Sequence, residues 1–276
     1  MASPTVFHPR IHILLAREAP LGVVIRRGPS KRVCTLLWDR TADDFQLGQW
    51  LHGRIYERRS DLSPDGKHLI YFAMNGHWDG EAKGSWTAIS RAPYLKAITL
   101  LAKGDCWHGG GLFTGNTRYW LNDGYGHAAI RDSRVVRRDL RYKPAANFGG
   151  ECLGVYYVRL LRDGWNLVRR EQLGRWKNLS VFEKPASGGW TLRKLAHEEV
   201  DRPPGKGCYW DEHQLVGPTE TIARPDWEWA EVDGHRLVWA EGGKLFGGRL
   251  DDGGIAKAVE LHDFNGMAFE PISAPY

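Results

Sequence analysis

The stretch with the most concentrated reactive groups lies between Gly104 and Gly111 and reads Gly-Asp-Cys-Trp-His-Gly-Gly-Gly. Carboxylate, thiol and imidazole groups, here from Asp105, Cys106 and His108, are the ligand types that zinc prefers. Cys106 and His108 would lie on one side of a strand, because side chains alternate along it. No second pair with matching spacing is present, so the sequence indicates neither a metal site nor a cofactor.

The same stretch is a candidate binding loop. Its three consecutive glycines would let a ligand or another backbone approach closely. A second histidine–tryptophan pair, His77-Trp78, lies upstream and would belong to the same site if the fold brought it close to this loop. The candidate loop or channel residues are His77, Trp78, Asp105, Trp107 and His108.

Linear catalytic motifs are absent from the sequence. There is no G-x-S-x-G nucleophile elbow, and the glycines at 109–111 precede a strand-like run and not the helix that a phosphate-binding loop requires. The sequence therefore favours a non-enzymatic protein, although single residues from distant segments can still form an active site.

Positive charge is concentrated in one part of the chain. Residues 131–177 hold twelve Lys and Arg against five Asp and Glu, a net charge of +7 in a chain whose total is +5. Arginine interleaved with aromatic residues, including Tyr142, Tyr156 and Tyr157, suits nucleic acid or an acidic protein partner, and a solvated outer face is the third alternative. The candidate basic face consists of Arg134, Arg137, Arg138, Arg141, Arg169, Arg170, Trp165 and Trp176.

Two distant stretches share the pattern of a tight turn before a buried strand. The first, residues 60–73, contains Ser63-Pro64-Asp65-Gly66 and then Leu-Ile-Tyr-Phe; the second, residues 230–240, contains Asp233-Gly234 and then Leu-Val-Trp. An Asp-Gly turn that precedes such an apolar run predicts a β-hairpin. Similar short runs and turns continue along the chain, so the sequence predicts an all-β protein.

The Ser-Pro-Asp-Gly turn and the strand after it resemble the β-propeller repeats of the TolB and WD40-like type, over residues 60–73 and more loosely 230–250. This resemblance implies a single β-propeller domain over residues 1–276, with five blades or alternatively six. We expect the two chain ends to close the ring by strand pairing, since an open ring leaves exposed strand edges. The resemblance implies an architecture and no particular activity.

Little helix is expected. Gly154–Val158 is predicted to be a strand, and the one candidate helical piece is Leu195–Glu199. The apolar run Ile11–Ala16 is too short to span a membrane, and the N-terminal residues have no signal-peptide pattern. Four scattered cysteines are expected to be reduced and buried. These features indicate a cytoplasmic protein that does not enter a membrane.

The resulting functional hypothesis is a non-enzymatic scaffold that mediates protein–protein interaction in a larger assembly. One alternative is a propeller enzyme whose central-channel site acts on a small polar or sugar-like substrate, with tryptophans as platforms. The other is a nucleic-acid-binding module that uses the arginine-rich face.

Overall fold

The protein is described by a computed structural model over residues 7–29, 31–149 and 151–276. Strands make up 52% and helices 6% of the described residues, which confirms the all-β class. The chain groups into two compact units. The first comprises the described residues through Arg159 together with Met267–Tyr276, and the second comprises Leu160–Gly266. The single domain that was expected from the sequence stays a prediction.

Strands of the first unit form three sheets. In chain order they are β1 (Arg10–Leu15), β2 (Leu21–Arg27), β3 (Arg32–Asp39), β4 (Asp44–His52), β5 (Arg54–Ile55), β6 (Asp61–Leu62), β7 (His68–Met74), β8 (Ser85–Arg91), β9 (Ala97–Ala102), β10 (Gly111–Gly115), β11 (Arg118–Leu121), β12 (Ala128–Arg131) and β13 (Arg137–Arg138). Sheet A has the order β1-β2-β3-β4, sheet B the order β12-β9-β8-β7-β5 with β6 also on β7, and sheet C the order β10-β11-β13. All pairs are antiparallel except β11 with β13.

Strands of the second unit form two antiparallel sheets. They are β14 (Asn166–Gly174), β15 (Lys177–Pro185), β16 (Thr191–Glu199), β17 (Tyr209–Val216), β18 (Thr221–Arg224), β19 (Trp227–Asp233), β20 (Arg236–Glu241), β21 (Lys244–Asp251) and β22 (Gly254–Asp263). Sheet D runs in order from β14 to β18, and sheet E from β19 to β22. Short 3-10 turns occupy Glu57–Arg59 in the first unit and Ser187–Gly189 in the second. None of the five sheets that the described residues form is closed, so the predicted propeller stays a prediction.

The core of the first unit lies on both faces of β7. Leu69 and Tyr71 pack with residues of sheet A, whereas Ile70 packs with Phe113 and Tyr119 of sheet C. Alternate side chains of a strand point to opposite faces, so a strand buried on both faces has an almost continuous apolar sequence. This explains why the run from Leu69 to Phe72 is apolar without alternation.

Both predicted hairpins are confirmed. β6 pairs with β7 across the Ser63–Gly66 turn, and β19 pairs with β20 across the turn at Gly234. Gly66 and Gly234 have φ of 75° and 61°, a backbone region that glycine adopts without steric cost. The Ser63 hydroxyl donates to Asp65 over 2.6 Å and accepts the His68 N–H, which closes the first turn.

Two secondary-structure predictions were wrong. The predicted strand Gly154–Val158 lies in helix α1 (Cys152–Arg162), and the predicted helical piece Leu195–Glu199 lies in β16. Val155 and Val158 of α1 pack on Leu112 of sheet C. Most of this helix is buried on all sides, so its sequence is a continuous apolar run, which does not distinguish a buried helix from a buried strand.

The predicted pairing of the chain ends is also wrong. β1 pairs with β2 only, among the described residues, and the C-terminal residues from Gly266 form no strand. The tail is instead held to the first unit by side chains. Phe269 packs on Trp50 and His52, at ring centroid distances of 5.9 and 4.4 Å, and the Tyr276 hydroxyl donates to the Lys96 carbonyl.

The structure also shows the environment of the four cysteines and tests for membrane-spanning helices. Cys34 and Cys152 are buried as predicted, but Cys106 and Cys208 are exposed, and all four are free. The described part of the chain contains no helix with the length and apolar character needed to cross a membrane. Residues 1–6, part of the segment searched for a signal peptide, lie outside the described residues.

The tail contacts predict that removal of residues 267–276 destabilises the first unit. We expect the free energy of unfolding to fall by about 1–3 kcal/mol, because aromatic packing and several hydrogen bonds are lost together. Chemical denaturation followed by tryptophan fluorescence measures this. Val259→Ala, a truncation at an exposed position on β22, is the control; equal stability of the shortened and full-length chains would contradict the prediction.

Candidate functional site

Three loops of the first unit meet at one edge of sheets B and C. The loop of residues 75–84 joins β7 to β8, residues 103–110 join β9 to β10, and residues 122–127 join β11 to β12. The strand registers place all three at the same edge, because Ser85 pairs with Met74, and Ala102 pairs with both Trp86 and Ala128. We call these three loops the loop cluster. It brings together all five candidate loop residues, His77, Trp78, Asp105, Trp107 and His108.

The glycines of the second loop permit close backbone packing. A Cβ atom at Gly110 would collide with the backbone of Arg59, and one at Gly109 would collide with the ring of Phe72. The buried guanidinium of Arg59 donates to the carbonyls of Cys106, over 2.8 Å, and of His108. The glycine triplet therefore serves contact with the protein's own backbone, which was one of the two roles expected from the sequence.

A chain of buried hydrogen bonds fixes the loop cluster to sheet B. His127 Nδ1 lies 2.6 Å from Asp123 Oδ1, and His127 Nε2 lies 3.0 Å from Thr87 Oγ1 on the central strand β8. The N–H of Gly110 donates to the same Thr87 oxygen over 2.8 Å. The Thr87 oxygen accepts the Gly110 N–H, so its own hydrogen is free to be donated to His127 Nε2. Because Nε2 is then the acceptor, the imidazole proton lies on Nδ1 and is donated to Asp123. One threonine and one histidine connect two of the loops to the sheet.

This arrangement has the order hydroxyl, imidazole, carboxylate that activates a nucleophile in many hydrolases. Thr87 is fully buried, and its oxygen already accepts the N–H of Gly110, so a substrate carbonyl has no approach to it. The three groups therefore stabilise the loops and do not form an active site.

Burial and hydrogen bonding oppose each other in setting the pKa values of these groups. Burial lowers the pKa of His127, and the hydrogen bond to Asp123 raises it by less, so His127 titrates below its ordinary range. Burial raises the pKa of Asp123, but hydrogen bonds from His127 and Arg138 lower it more, so this carboxyl group has a pKa below its ordinary value. At neutral pH the histidine is neutral and the aspartate is charged.

A second charged pair lies in the same cluster. The ammonium group of Lys103, whose side chain is buried, lies 2.8 Å from Asp105 Oδ2, and the Trp107 N–H donates to Asp105 Oδ1 over 2.8 Å. Burial raises the pKa of Asp105, but these hydrogen bonds lower it more, so the net shift is downward. Asp105 therefore orders the backbone just before the exposed Trp107.

Aromatic side chains project from each loop of the cluster. Trp78, Trp107 and Tyr125 are 49%, 53% and 85% exposed. Tyr125 makes an edge contact with the ring of His108, at a centroid distance of 5.1 Å, and lies 5.9 Å from the Lys103 ammonium group. Exposed aromatic rings held on fixed loops are a common feature of binding surfaces.

No metal centre is evident in the part of the chain that the structure describes, where no three His, Cys, Asp or Glu side chains are grouped closely enough to hold an ion. Cys106 and His108 lie in a loop and not on a strand, and His108 has a positive φ of 56°. The alternation that would have aligned their side chains does not apply there.

The basic residues from the end of β12 onward form a second surface, residues 131–143, which we call the arginine segment. Val136 is buried between sheets B and C, while Arg134, Arg137 and Arg141 are exposed. These three arginines have no ion-pair partner among the described residues. Val135 and Leu140 beside them are also exposed, Leu140 by 80%.

Asp139 anchors the arginine segment. Its carboxylate accepts a hydrogen bond from the Thr114 hydroxyl over 2.9 Å and from the N–H groups of Arg141 and Tyr142. The hydrogen bond from Thr114 is the main reason that the pKa of Asp139 lies below its ordinary value. Apart from Arg131 at the end of β12 and the two residues of β13, the segment has no regular structure, so this turn orders the backbone at Arg141.

Arg138 connects the two surfaces, since its guanidinium lies 2.8 Å from Asp123 Oδ2 in the loop cluster. The remaining members of the predicted basic face lie in the second unit. Arg169 and Arg170 are there paired with Glu171 and Glu198, at 3.6 and 3.8 Å.

The two tryptophans of the predicted basic face have different environments. Trp165 is only 1% exposed; its Nε1–H donates to Glu231 over 2.9 Å, and the buried Lys194 ammonium lies 4.9 Å from its ring. The expectation that Trp165 offers a surface for stacking was therefore wrong. Trp176 is exposed, beside Arg175.

The residues that hold the loop cluster, Thr87, Asp123 and His127, were not predicted from the sequence. They come from two separate segments and form no linear motif, and a single histidine in a Gly-rich turn carries little information by itself. The available signal was the clustering of Asn, Asp, Gly and His at residues 122–127, which indicates an ordered turn.

Comparison with protein-family models gives no match for this chain, and no similar protein is found among curated sequences. The resemblance to TolB and WD40-like repeats stays a prediction.

The buried position of His127 predicts a pH-dependent stability. Its folded-state pKa is lower than the ordinary value of about 6.5, so the unfolded chain takes up the proton first as the pH falls. The stabilisation is complete above about pH 6.5 and is lost as the pH falls through the folded-state pKa. Urea unfolding between pH 8 and 5 measures this dependence.

In His127→Gln we expect stability at neutral pH to fall by about 1–3 kcal/mol, and the decline below pH 6.5 to become shallower. His68 and His262 also have lowered pKa values through burial, so some decline persists in the variant. His235→Gln, at an exposed turn position, is the matched control. Identical pH profiles for wild type and His127→Gln would disprove the role of this residue.

Proposed function

We propose that the protein is a non-enzymatic binding module that recognises an acidic, partly apolar segment of a partner protein through the arginine segment. The observation that carries the proposal is the set of exposed arginines, Arg134, Arg137 and Arg141, that lack ion-pair partners among the described residues. Unpaired surface cations attract an acidic partner and fix its orientation.

Ion pairs within the protein are the reason that we favour the arginine segment over the rest of the predicted basic face as the binding surface. Arg169 and Arg170 contribute to the local positive charge, but neighbouring glutamates already neutralise them. An acidic partner at that place would have to displace Glu171 and Glu198, which reduces the net gain. Arg134, Arg137 and Arg141 do not face this competition, since no carboxylate among the described residues is paired with them.

Exposed apolar side chains favour a protein partner over nucleic acid. Val135 and Leu140 lie exposed between the arginines, where they would pack on aliphatic side chains of a partner. Binding of single strands depends on aromatic platforms for the bases. Of the aromatic residues expected to provide them, Tyr156, Tyr157 and Trp165 are buried, so the nucleic-acid alternative loses much of its support.

The enzyme alternative has less support than binding. In the one hydroxyl–imidazole–carboxylate arrangement that we identify, the Thr87 hydroxyl is buried and already hydrogen-bonded. We further infer that the five sheets are the blades of a five-bladed propeller; the supporting observation is that there are five sheets, most of them antiparallel meanders.

A cytoplasmic location belongs to the same proposal, supported by four free cysteines, two of them exposed.

Charge reversal tests the proposal. We expect Arg134→Glu, Arg137→Glu and Arg141→Glu, combined in one variant, to weaken binding of the partner more than tenfold, about 1.4 kcal/mol. Stability should change by about half a kcal/mol or less for each exposed position. Immobilised wild type and variant are compared for the proteins they retain from a source lysate at low salt and release at high salt.

The matched control is Arg169→Glu, Arg170→Glu and Arg175→Glu, which changes the net charge equally in the second unit. Proteins retained by wild type and control but lost by the first variant support the proposal. Equal loss in both variants, or equal retention, contradicts it. Tight binding of single-stranded or duplex DNA, with log affinity falling linearly with log salt, would assign the surface to nucleic acid instead.

Asp139 provides a second test, because its charge and its anchoring role have opposite effects. Asp139→Ala removes a negative charge beside Arg137 and Arg141, which by charge alone would strengthen binding of an acidic partner. It also removes three hydrogen bonds that order the segment. We expect binding to weaken severalfold, measured by the same capture assay; stronger binding would show that only net charge matters.

A further inference from the structure

We propose that the loop cluster is a second binding site, whose ligand is a neutral carbohydrate. This proposal goes beyond the proposed function and does not depend on it. A sugar ring has a face of C–H bonds and a rim of hydroxyl groups. It therefore needs an aromatic surface with donors and acceptors beside it, on a frame that does not have to reorganise.

The aromatic surface is provided by Trp78, Trp107 and Tyr125, one from each loop at the same edge of sheets B and C. Exposed apolar side chains that are grouped on one part of a surface are typical of a ligand or partner site. Trp107 follows directly from the backbone that Asp105 orders, and the ring of Tyr125 rests on His108. Both rings are thus tied to ordered neighbours.

Charge argues against an anionic ligand at this surface. The three loops contain two lysines and four carboxylate residues, a net charge of −2 with neutral histidines. This surface repels phosphate, nucleic acid and acidic peptides, in contrast to the arginine segment. The carboxylates beside the exposed rings, Asp105 and Asp123, are already paired with Lys103 and Arg138, which disfavours a cationic ligand as well.

The same ion pairs provide the polar half of the site. Asp105, Asp123 and Arg138 are each about one quarter to two fifths exposed, so they keep accessible oxygen and N–H groups. Lys103 holds Asp105 in place, and Asp123 and Arg138 hold each other. Hydrogen bonds from hydroxyl groups to charged side chains are stronger than those between neutral groups. The donors and acceptors of these two charge-balanced ion pairs match the hydroxyl rim of a sugar.

Hydrogen bonds hold two of the three loops in a fixed position, which favours ligand binding. The hydrogen bonds Thr87–His127–Asp123 fix the loop of residues 122–127 to β8, and paired backbone hydrogen bonds between Gly109, Gly110 and Asn122 join it to the loop of residues 103–110. A preorganised site loses little conformational entropy on binding. This matters for sugars, whose hydroxyl groups give up bonds to water when they bind.

The proposal is tested with the full chain on an array of neutral oligosaccharides, followed by calorimetric titration of the ligands that bind. We expect binding by wild type and a loss of at least tenfold in both Trp107→Ala and Tyr125→Ala. Trp176→Ala, an exposed tryptophan of the second unit, is the matched control and keeps wild-type affinity. Denaturation curves of the variants exclude unfolding as the cause of the loss.

Two further ligands test whether the site binds a class of molecule other than neutral carbohydrate. Single-stranded DNA or a trimethyllysine peptide that binds wild type and is lost with Trp107→Ala, in the absence of glycan binding, would replace the proposal by a base-stacking or cation-binding site. No glycan binding by wild type at millimolar ligand would also overturn it. The charge-reversed arginine variant should bind glycan normally, so failure of the protein-binding proposal leaves this result unaffected.

Discussion

The chain of hydrogen bonds from Thr87 through His127 and Asp123 to Arg138, buried at Thr87 and His127 and partly exposed at its other end, links both candidate surfaces and is the constraint that they share. It begins on the central strand β8 and ends on the short strand β13, so it crosses from sheet B to sheet C within the first unit. Each group meets the hydrogen-bonding needs of the next, and a buried polar network is stabilising only when it is satisfied in this way. Two of the three loops and Arg138 of the arginine segment are therefore linked through the same few side chains, while Asp139 anchors the rest of that segment.

Ion pairing, and not the number of basic residues, determines where uncompensated positive charge remains on the surface of this protein. Residues 131–177 have a net charge of +7, yet Arg138, Arg169 and Arg170 each lie near a carboxylate. Only part of the total charge is available at the surface. A count along the sequence overestimates the basic face, because it includes arginines whose acidic partners, such as Glu198, lie on a strand distant in sequence.

Local features of the fold could be predicted, and those that depend on tertiary burial could not. The Asp65-Gly66 and Asp233-Gly234 turns require only a few adjacent residues, and both form hairpins as predicted. The apolar run of helix α1 was predicted to be a strand, since burial on all sides removes the periodicity that identifies a helix. Trp165 shows the same limit, because only the packed structure shows that its ring is covered.

The grouping of the candidate loop residues follows from strand parity. In an antiparallel sheet the chain reverses at each connection, so loops separated by two strands lie at the same edge. The loops after β7 and β9 are related in this way, which brings Trp78 and Trp107 to one edge although they are distant in sequence. This parity could have been applied once the strands were assigned. The contacts of His127 could not be found similarly, because a hydrogen bond to Thr87 depends on register and side-chain orientation, which parity leaves undetermined.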